Sequence, residues 1–104
     1  MEFFPNEKIP FDGMMLYQME TYLQAGAVKK AVALSQELSR IFGKRLAYVE
    51  RFPNKFAASV AEEKYMCLSV FYEMSRRLAN YVGTYPELQP YITKSQKVVE
   101  THGV

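Results

Sequence analysis

The feature that most constrains this chain is a pair of apolar stripes with helical spacing, separated by a glycine. Met15, Met19 and Leu23 recur every four residues, which places them on one face of a helix. A second stripe begins after Gly26 and continues to Phe42. Because glycine readily adopts the positive φ found just after a helix C-terminus, Gly26 predicts a tight turn between two helices. Two helices joined so closely are expected to pack as an antiparallel hairpin.

Gly43 leaves two possible ends for the second helix. A glycine inside a helix costs about 1 kcal/mol relative to alanine, so the helix could end at Phe42. The apolar period nevertheless continues in phase through Leu46 and Val49. We therefore favour a first helix at residues 13–25 and a second at residues 28–51.

A third and a fourth helix are predicted after the break at Phe52-Pro53. The third spans residues 55–82 and carries two adjacent apolar stripes, which predicts neighbouring elements on two of its sides. One stripe consists of Val60, Cys67, Phe71, Met74, Leu78 and Tyr81. The other consists of Ala57, Ala61, Tyr65, Leu68, Tyr72 and Ala79. A turn with two prolines then precedes a short helix at residues 91–101.

The length and composition fit one helical domain. The chain has 104 residues, of which 49% are hydrophobic and 23% charged, as is usual for a globular protein. Residues 1–12 contain two prolines and no periodicity, so we expect an extended lead-in there. The predicted class is therefore all-α, with about four helices arranged as antiparallel hairpins.

Charge and hydropathy argue against two kinds of partner. The net charge is only +2, and the basic residues occur as scattered pairs with acidic residues between them, so a nucleic-acid partner is not expected. No segment approaches the roughly 20 apolar residues of a membrane span, so direct membrane insertion is not expected either.

The sequence offers no group of residues suited to catalysis or to metal or cofactor binding. His102 is the only histidine and lies near the chain end, where we expect a solvated tail. Glu62 and Glu63 are adjacent on a helix and therefore point about 100° apart, which suits an acid/base pair poorly. Cys67 lies in an apolar helical run and is expected to be a buried structural thiol. We therefore expect no enzymatic activity, no cofactor and no metal.

Aromatic side chains are the best candidates for an interaction surface. They make up 14% of the chain, and four tyrosines lie near predicted helix edges or turns, where a phenol can be half-buried with its hydroxyl in water. These are Tyr17, Tyr48, Tyr85 and Tyr91. Ordinary amphipathic packing is the alternative explanation for them. Helical spacing likewise favours core packing over partner binding for the methionines at positions 14, 15 and 19.

The segment TYLQAGAVKKAVALSQEL resembles a degenerate tetratricopeptide repeat. Tyr22 stands at the aromatic position of the first repeat helix, Gly26 at the glycine between the helices, and Ala31 at the small residue of the second helix. Met15 occupies the position of the usual tryptophan. Only one repeat is visible, so the resemblance implies one repeat-like hairpin followed by divergent helices.

A longer segment, FFPNEKIPFDGMMLYQMETYLQAGAVKKAVALSQEL, is similar to the C-terminal region of a bacterial family of polytopic membrane proteins. Their N-terminal domain, of unknown function, is related to protein O-mannosyltransferases. The matching features include Phe4-Pro5 and the stretch Ile9-Pro10-Phe11-Asp12.

This resemblance implies that the chain is part of a longer protein whose chemistry resides in the membrane domain. The chain would then be a non-catalytic accessory domain, tethered to the bacterial inner membrane. Its partner would be another protein or its own membrane domain. The alternative is a free-standing helical protein that forms a homodimer through its aromatic surface.

Overall fold

The computed structural model describes residues 13–52 and 60–103 and contains four α-helices in those ranges. They are α1 (Gly13–Gln24), α2 (Val28–Arg51), α3 (Val60–Ala79) and α4 (Gln89–His102), with a short 3₁₀ helix (Pro86–Leu88) before α4. The described residues include no β-strand. The predicted all-α class with helical hairpins is confirmed.

The turn between α1 and α2 is a Schellman motif centred on Gly26. Gly26 has φ +80°, and its N–H donates to the Leu23 carbonyl at 3.1 Å. The Ala27 N–H donates to the Tyr22 carbonyl at 2.8 Å. These two bonds satisfy carbonyls that the end of α1 would otherwise leave unpaired. The glycine turn predicted from the sequence is confirmed.

Helix α2 continues through Gly43 without a break, as favoured from its periodicity. Its 24 residues give a length of about 36 Å. The buried residues of α2 follow one stripe: Ala31, Ser35, Leu38, Phe42, Arg45, Leu46 and Val49. A buried arginine in this stripe was not expected.

The core lies where α3 packs against α2 and α4. Helix α3 also contacts α1, but less extensively, and α4 makes few contacts with α2. Phe42, Phe71 and Leu78 are among the largest fully buried side chains. Successive helices reverse direction, so α2 and α4 run parallel to each other, as do α1 and α3. An ion pair between Glu20 and Arg77, at 2.9 Å, fixes the register of that second pair.

One predicted contact face of α3 is open. Tyr65 and Tyr72, on the second apolar stripe, are 75% and 55% exposed, and Ala61 and Ala79 are exposed as well. The expectation that this stripe packs against a neighbour is wrong for these four residues, whereas Leu68 of the same stripe packs partly against the core. The reason is that α1 packs mainly beside α2 and leaves this face of α3 uncovered.

The ends of α3 and α4 differ from the expected positions. Helix α3 ends at Ala79 rather than at residue 82, because the Asn80 and Tyr81 N–H groups donate to carbonyls three residues back. Helix α4 begins at Gln89 and has Pro90 in its first turn, where proline's missing N–H costs no hydrogen bond. It ends at His102, so this residue belongs to the helix rather than to a tail.

Two expectations fall outside the described residues: the extended lead-in at residues 1–12 and the start of the third helix at residue 55. Within the described ranges, no helix combines the length and the apolar character needed to cross a membrane.

Candidate interaction surfaces

An open cleft of about 440 Å³ lies between α2 and α4. This volume is within the range of ligand-binding clefts in proteins. The α2 residues of the cleft are Gln36, Ser39, Arg40, Gly43, Leu46, Ala47 and Glu50. Intervals of three and four residues place them on one stripe about 21 Å long. The opposite wall carries Lys94, Val98 and His102 of α4.

The cleft exists because α4 rests on α3 and scarcely touches α2. Its floor is apolar, formed by Phe71 of α3 together with Leu46 and Val98. Gly43 contributes no side chain, and a Cβ added there would lie 3.9 Å from Cζ of Phe71. The glycine therefore leaves space next to the tip of the phenyl ring.

Two cations lie toward one end of the cleft. Glu50 on α2 contacts His102 on α4, and the two helices run parallel. A residue of α2 therefore faces the residue of α4 that lies equally far before this contact. Arg40 is ten residues before Glu50 and Lys94 is eight before His102, or about 15 and 12 Å along their helices. Arg40 is also bound to Glu37 on its own helix, with Nε donating to Oε1 at 3.0 Å.

Glu50 joins three helices at the other end of the cleft. Its Oε2 accepts from His102 Nδ1 at 2.9 Å and from Lys64 Nζ at 3.2 Å. Partial burial opposes ionisation of Glu50, but the hydrogen bonds and charges of His102 and Lys64 outweigh it and lower the pKa of this carboxyl. Since an ionised carboxylate can only accept, Nδ1 of His102 carries the hydrogen. Sequence reasoning missed this contact, because no local pattern relates residues 52 positions apart.

The cleft also contains Ser39, yet it does not form a catalytic triad. Ser39 is eleven residues before Glu50 on α2, a distance of about 16 Å along the helix. A serine nucleophile must lie within hydrogen-bond reach of its histidine. Among the described residues there is also no group of three or more potential metal ligands. The absence of enzymatic activity stays a prediction.

Arg45 on α2 and Glu63 on α3 form a buried ion pair. Nε and Nη2 of Arg45 contact Glu63 Oε2 at 2.8 and 2.5 Å, and the arginine side chain is 3% exposed. Its Nη1 finds no hydrogen-bond partner in the described part of the chain. Glu63 is therefore held by Arg45 rather than facing water freely. Arg45 follows Leu38 by seven residues, a spacing that signals burial despite the charge.

Cys67 lies fully buried near this ion pair. Burial raises the pKa of the thiol to about 12. The burial expected for Cys67 is confirmed. A neutral, enclosed thiol is a poor nucleophile.

The four candidate tyrosines do not form one surface. Tyr17 is 67% exposed on α1, while Tyr91 is half-buried against the core. The Tyr85 hydroxyl lies 3.7 Å from where a Cβ on Gly26 would be, so this ring sits at the α1–α2 turn. Tyr48 lies near the far end of α2, about 30 Å from that turn. None of the four lines the cleft, and their role in binding stays a prediction.

The methionines divide between core and surface. Met19 is fully buried and Met15 packs against the core, as expected, whereas Met14 is 76% exposed.

The open face of α3 carries residues with alternating spacings of three and four, which we call the α3 seam. Its members are Glu62, Tyr65, Ser69, Tyr72 and Arg76. Four of them are exposed and Ser69 is half-buried. This spacing is that of the contact positions of a coiled coil.

No protein-family model, no curated protein and no solved structure matches the chain.

Proposed function

We propose that this chain is a non-catalytic helical interaction domain, and that the cleft between α2 and α4 binds an acidic amphipathic helix of a partner protein. The observation that carries the proposal is the cleft itself, with its apolar floor and its two cations toward one end. The resemblance of the first hairpin to a tetratricopeptide repeat supports it, because such hairpins commonly present helical surfaces to partners.

The dimensions of the cleft favour a helix as the ligand. The lining stripe of α2 extends for about 21 Å, which equals roughly four turns of a bound helix. A helix docks into such a groove with apolar side chains spaced at i, i+3 or i+4, and i+7. These side chains would pack against the half-buried Val98 and over Leu46 and Phe71, which are already only 3% and 2% exposed.

The charges define the orientation of the ligand. Lys94 favours acidic residues at its end of the cleft, and Arg40 adds less to this because Glu37 already pairs with it. Complementary charges fix register and suppress wrong partners. Glu50 is already paired with Lys64 and His102. Its carboxylate therefore repels an acidic ligand less than an unpaired one would.

A titration with designed peptides tests this proposal. We would record amide spectra of the ¹⁵N-labelled chain with a helical peptide that carries leucines at the stated spacing and glutamates beside them. A matched peptide with lysines in place of the glutamates is the control. We expect shifts at Gly43, Ala47 and Val98 with the acidic peptide, and weaker binding of the basic one.

Two alanines of α2 provide matched variants for the same titration. Ala47 lines the cleft, whereas Ala33 is exposed on α2 outside it. Ala47→Glu introduces a repulsive charge and should weaken binding of the acidic peptide about tenfold, or about 1.4 kcal/mol. Ala33→Glu should have little effect. Equal affinities for both variants, or shifts that avoid the cleft, would contradict the proposal.

We further propose that the domain is tethered to a glycosyltransferase-like membrane protein of the bacterial inner membrane. The similarity of the segment from Phe3 to Leu38 to such proteins supports this proposal. Sequencing the coding DNA upstream of Met1 tests it. Several apolar segments of about 20 residues in frame would support the tether. A ribosome-binding site directly before Met1 would contradict it.

A further inference from the structure

We propose that the α3 seam pairs with the same surface of a second copy of this chain, in an antiparallel homodimer. This surface is separate from the cleft, because α2 packs against the opposite, buried side of α3. The inference therefore does not depend on the function proposed for the cleft.

The order of residues along the seam is complementary to itself. Glu62 lies seven residues before Ser69 and Arg76 lies seven residues after it, while Tyr65 and Tyr72 flank Ser69 by four and three. In a two-fold symmetric interface, residue i contacts residue j of the partner and j contacts i. An antiparallel pairing centred on Ser69 brings Glu62 opposite Arg76 twice. It places each Tyr65 beside a Tyr72 of the partner, offset by one residue or about 1.5 Å along the helix.

The centre of the seam allows two helices to approach closely. Ser69 has a small side chain, and its hydroxyl already donates to the Tyr65 carbonyl at 2.8 Å. Covering this hydroxyl would therefore leave no unpaired donor. The tyrosines on either side supply the apolar area that an interface needs while their hydroxyl groups remain at the rim.

The charged pairs are expected to set the orientation more than the affinity. Arg76 is bound to Glu73 of its own helix at 2.7 Å, and its side chain is 51% exposed. An exposed ion pair adds little affinity but disfavours the parallel arrangement, in which like charges would meet. A contact along one helix face is at the small end of protein interfaces, so we expect weak dimerisation that increases with protein concentration.

Sedimentation equilibrium of the whole chain, from about 10 μM to about 1 mM, tests the dimer. Tyr65→Glu and Tyr72→Glu should each weaken dimerisation at least about tenfold, and both positions are exposed enough to tolerate the change. Ala33→Glu, on the exposed side of α2, is the control and should dimerise like the wild type. Circular dichroism of each variant verifies that the helices remain folded.

A charge exchange tests the antiparallel pairing itself. Glu62→Arg and Arg76→Glu each place like charges opposite each other and should weaken the homodimer. Mixed in equal amounts, the two variants restore both opposite pairs and should form a heterodimer tighter than either homodimer. A wild-type chain that stays monomeric at about 1 mM, a dimer unaffected by Tyr65→Glu, or a mixture no tighter than its components would each overturn the proposal.

Discussion

Glu50 and His102 are 52 residues apart in the sequence, yet the Glu50 carboxylate accepts a hydrogen bond from His102 Nδ1 at 2.9 Å. This bond holds the last turn of α4 against α2. Lys64 adds a contact from α3 to the same oxygen. One carboxylate therefore fixes the position at which three helices meet.

Acid should weaken the fold in part through Glu50. Its pKa is lowered because the hydrogen bonds from His102 and Lys64 outweigh the opposing effect of partial burial. A carboxyl with a lowered native pKa stabilises the folded state above its ordinary pKa, here 4.5, and loses this contribution as the pH falls through the native value. We expect the urea concentration at the unfolding midpoint to decrease as the pH is lowered from about 5 to about 3.

Glu50→Gln is the matched control for this acid effect. It should lose about 0.5 kcal/mol at neutral pH, as expected for a partly exposed ion pair, and show a smaller decrease on acidification. An acid dependence identical to that of the wild type would rule out a role for Glu50.

Removal of Glu63 should destabilise the fold far more than removal of Arg45. Glu63→Gln leaves the charge of a guanidinium that is 3% exposed without a counterion, at a cost of about 3–5 kcal/mol. Arg45→Met removes that buried charge and leaves Glu63, which is 17% exposed, able to reach water; we expect a loss of about 1 kcal/mol. Urea unfolding of both variants gives the two free energies. Similar losses would show that the arginine is less desolvated than the structure indicates.

Two glycines should respond oppositely to alanine. Gly43 lies inside α2, and an added Cβ would meet Phe71 only at an ordinary contact distance of 3.9 Å. Gly43→Ala should therefore stabilise the protein by up to about 1 kcal/mol. Gly26 has φ +80°, so Gly26→Ala should destabilise it by about 1–2 kcal/mol. Thermal unfolding of the two variants measures both signs, and a stabilising Gly26→Ala would contradict the turn geometry.

Cys67 should resist thiol reagents in the native state. It is fully buried, so a reagent cannot reach it in the folded chain. Its thiol pKa is raised to about 12, so the reactive thiolate is scarce at neutral pH. We expect labelling by an aromatic disulfide reagent only after denaturant is added, at a rate limited by opening of the fold. Rapid stoichiometric labelling of the folded chain would contradict the described packing around α3.

The elements that the sequence predicted well depend on local rules. The positive φ of Gly26 and the continuation of α2 through Gly43 follow from turn chemistry and from the phase of the apolar stripe. The open face of α3 was mispredicted because periodicity shows that Tyr65 and Tyr72 share a side of the helix, but not whether another helix covers it. Tyrosine tolerates either environment.

The candidate cleft could not be predicted, because its parts come from three helices. The depth of the cleft depends on the distance between α4 and α2. That distance is set by how α4 packs against α3. Contacts between helices also limit what can be predicted for Arg45. Its position in the buried stripe is apparent from spacing, but its counterion on α3 is not.

The dependence of the cleft on α4 has a consequence for exchange of amide hydrogens with solvent. One wall of the cleft belongs to α4, which rests almost entirely on α3. A local opening that detaches α4 removes this wall and separates His102 from Glu50. A ligand in the cleft must therefore slow amide exchange throughout α4, even at positions it never touches, while exchange in α1 stays unchanged.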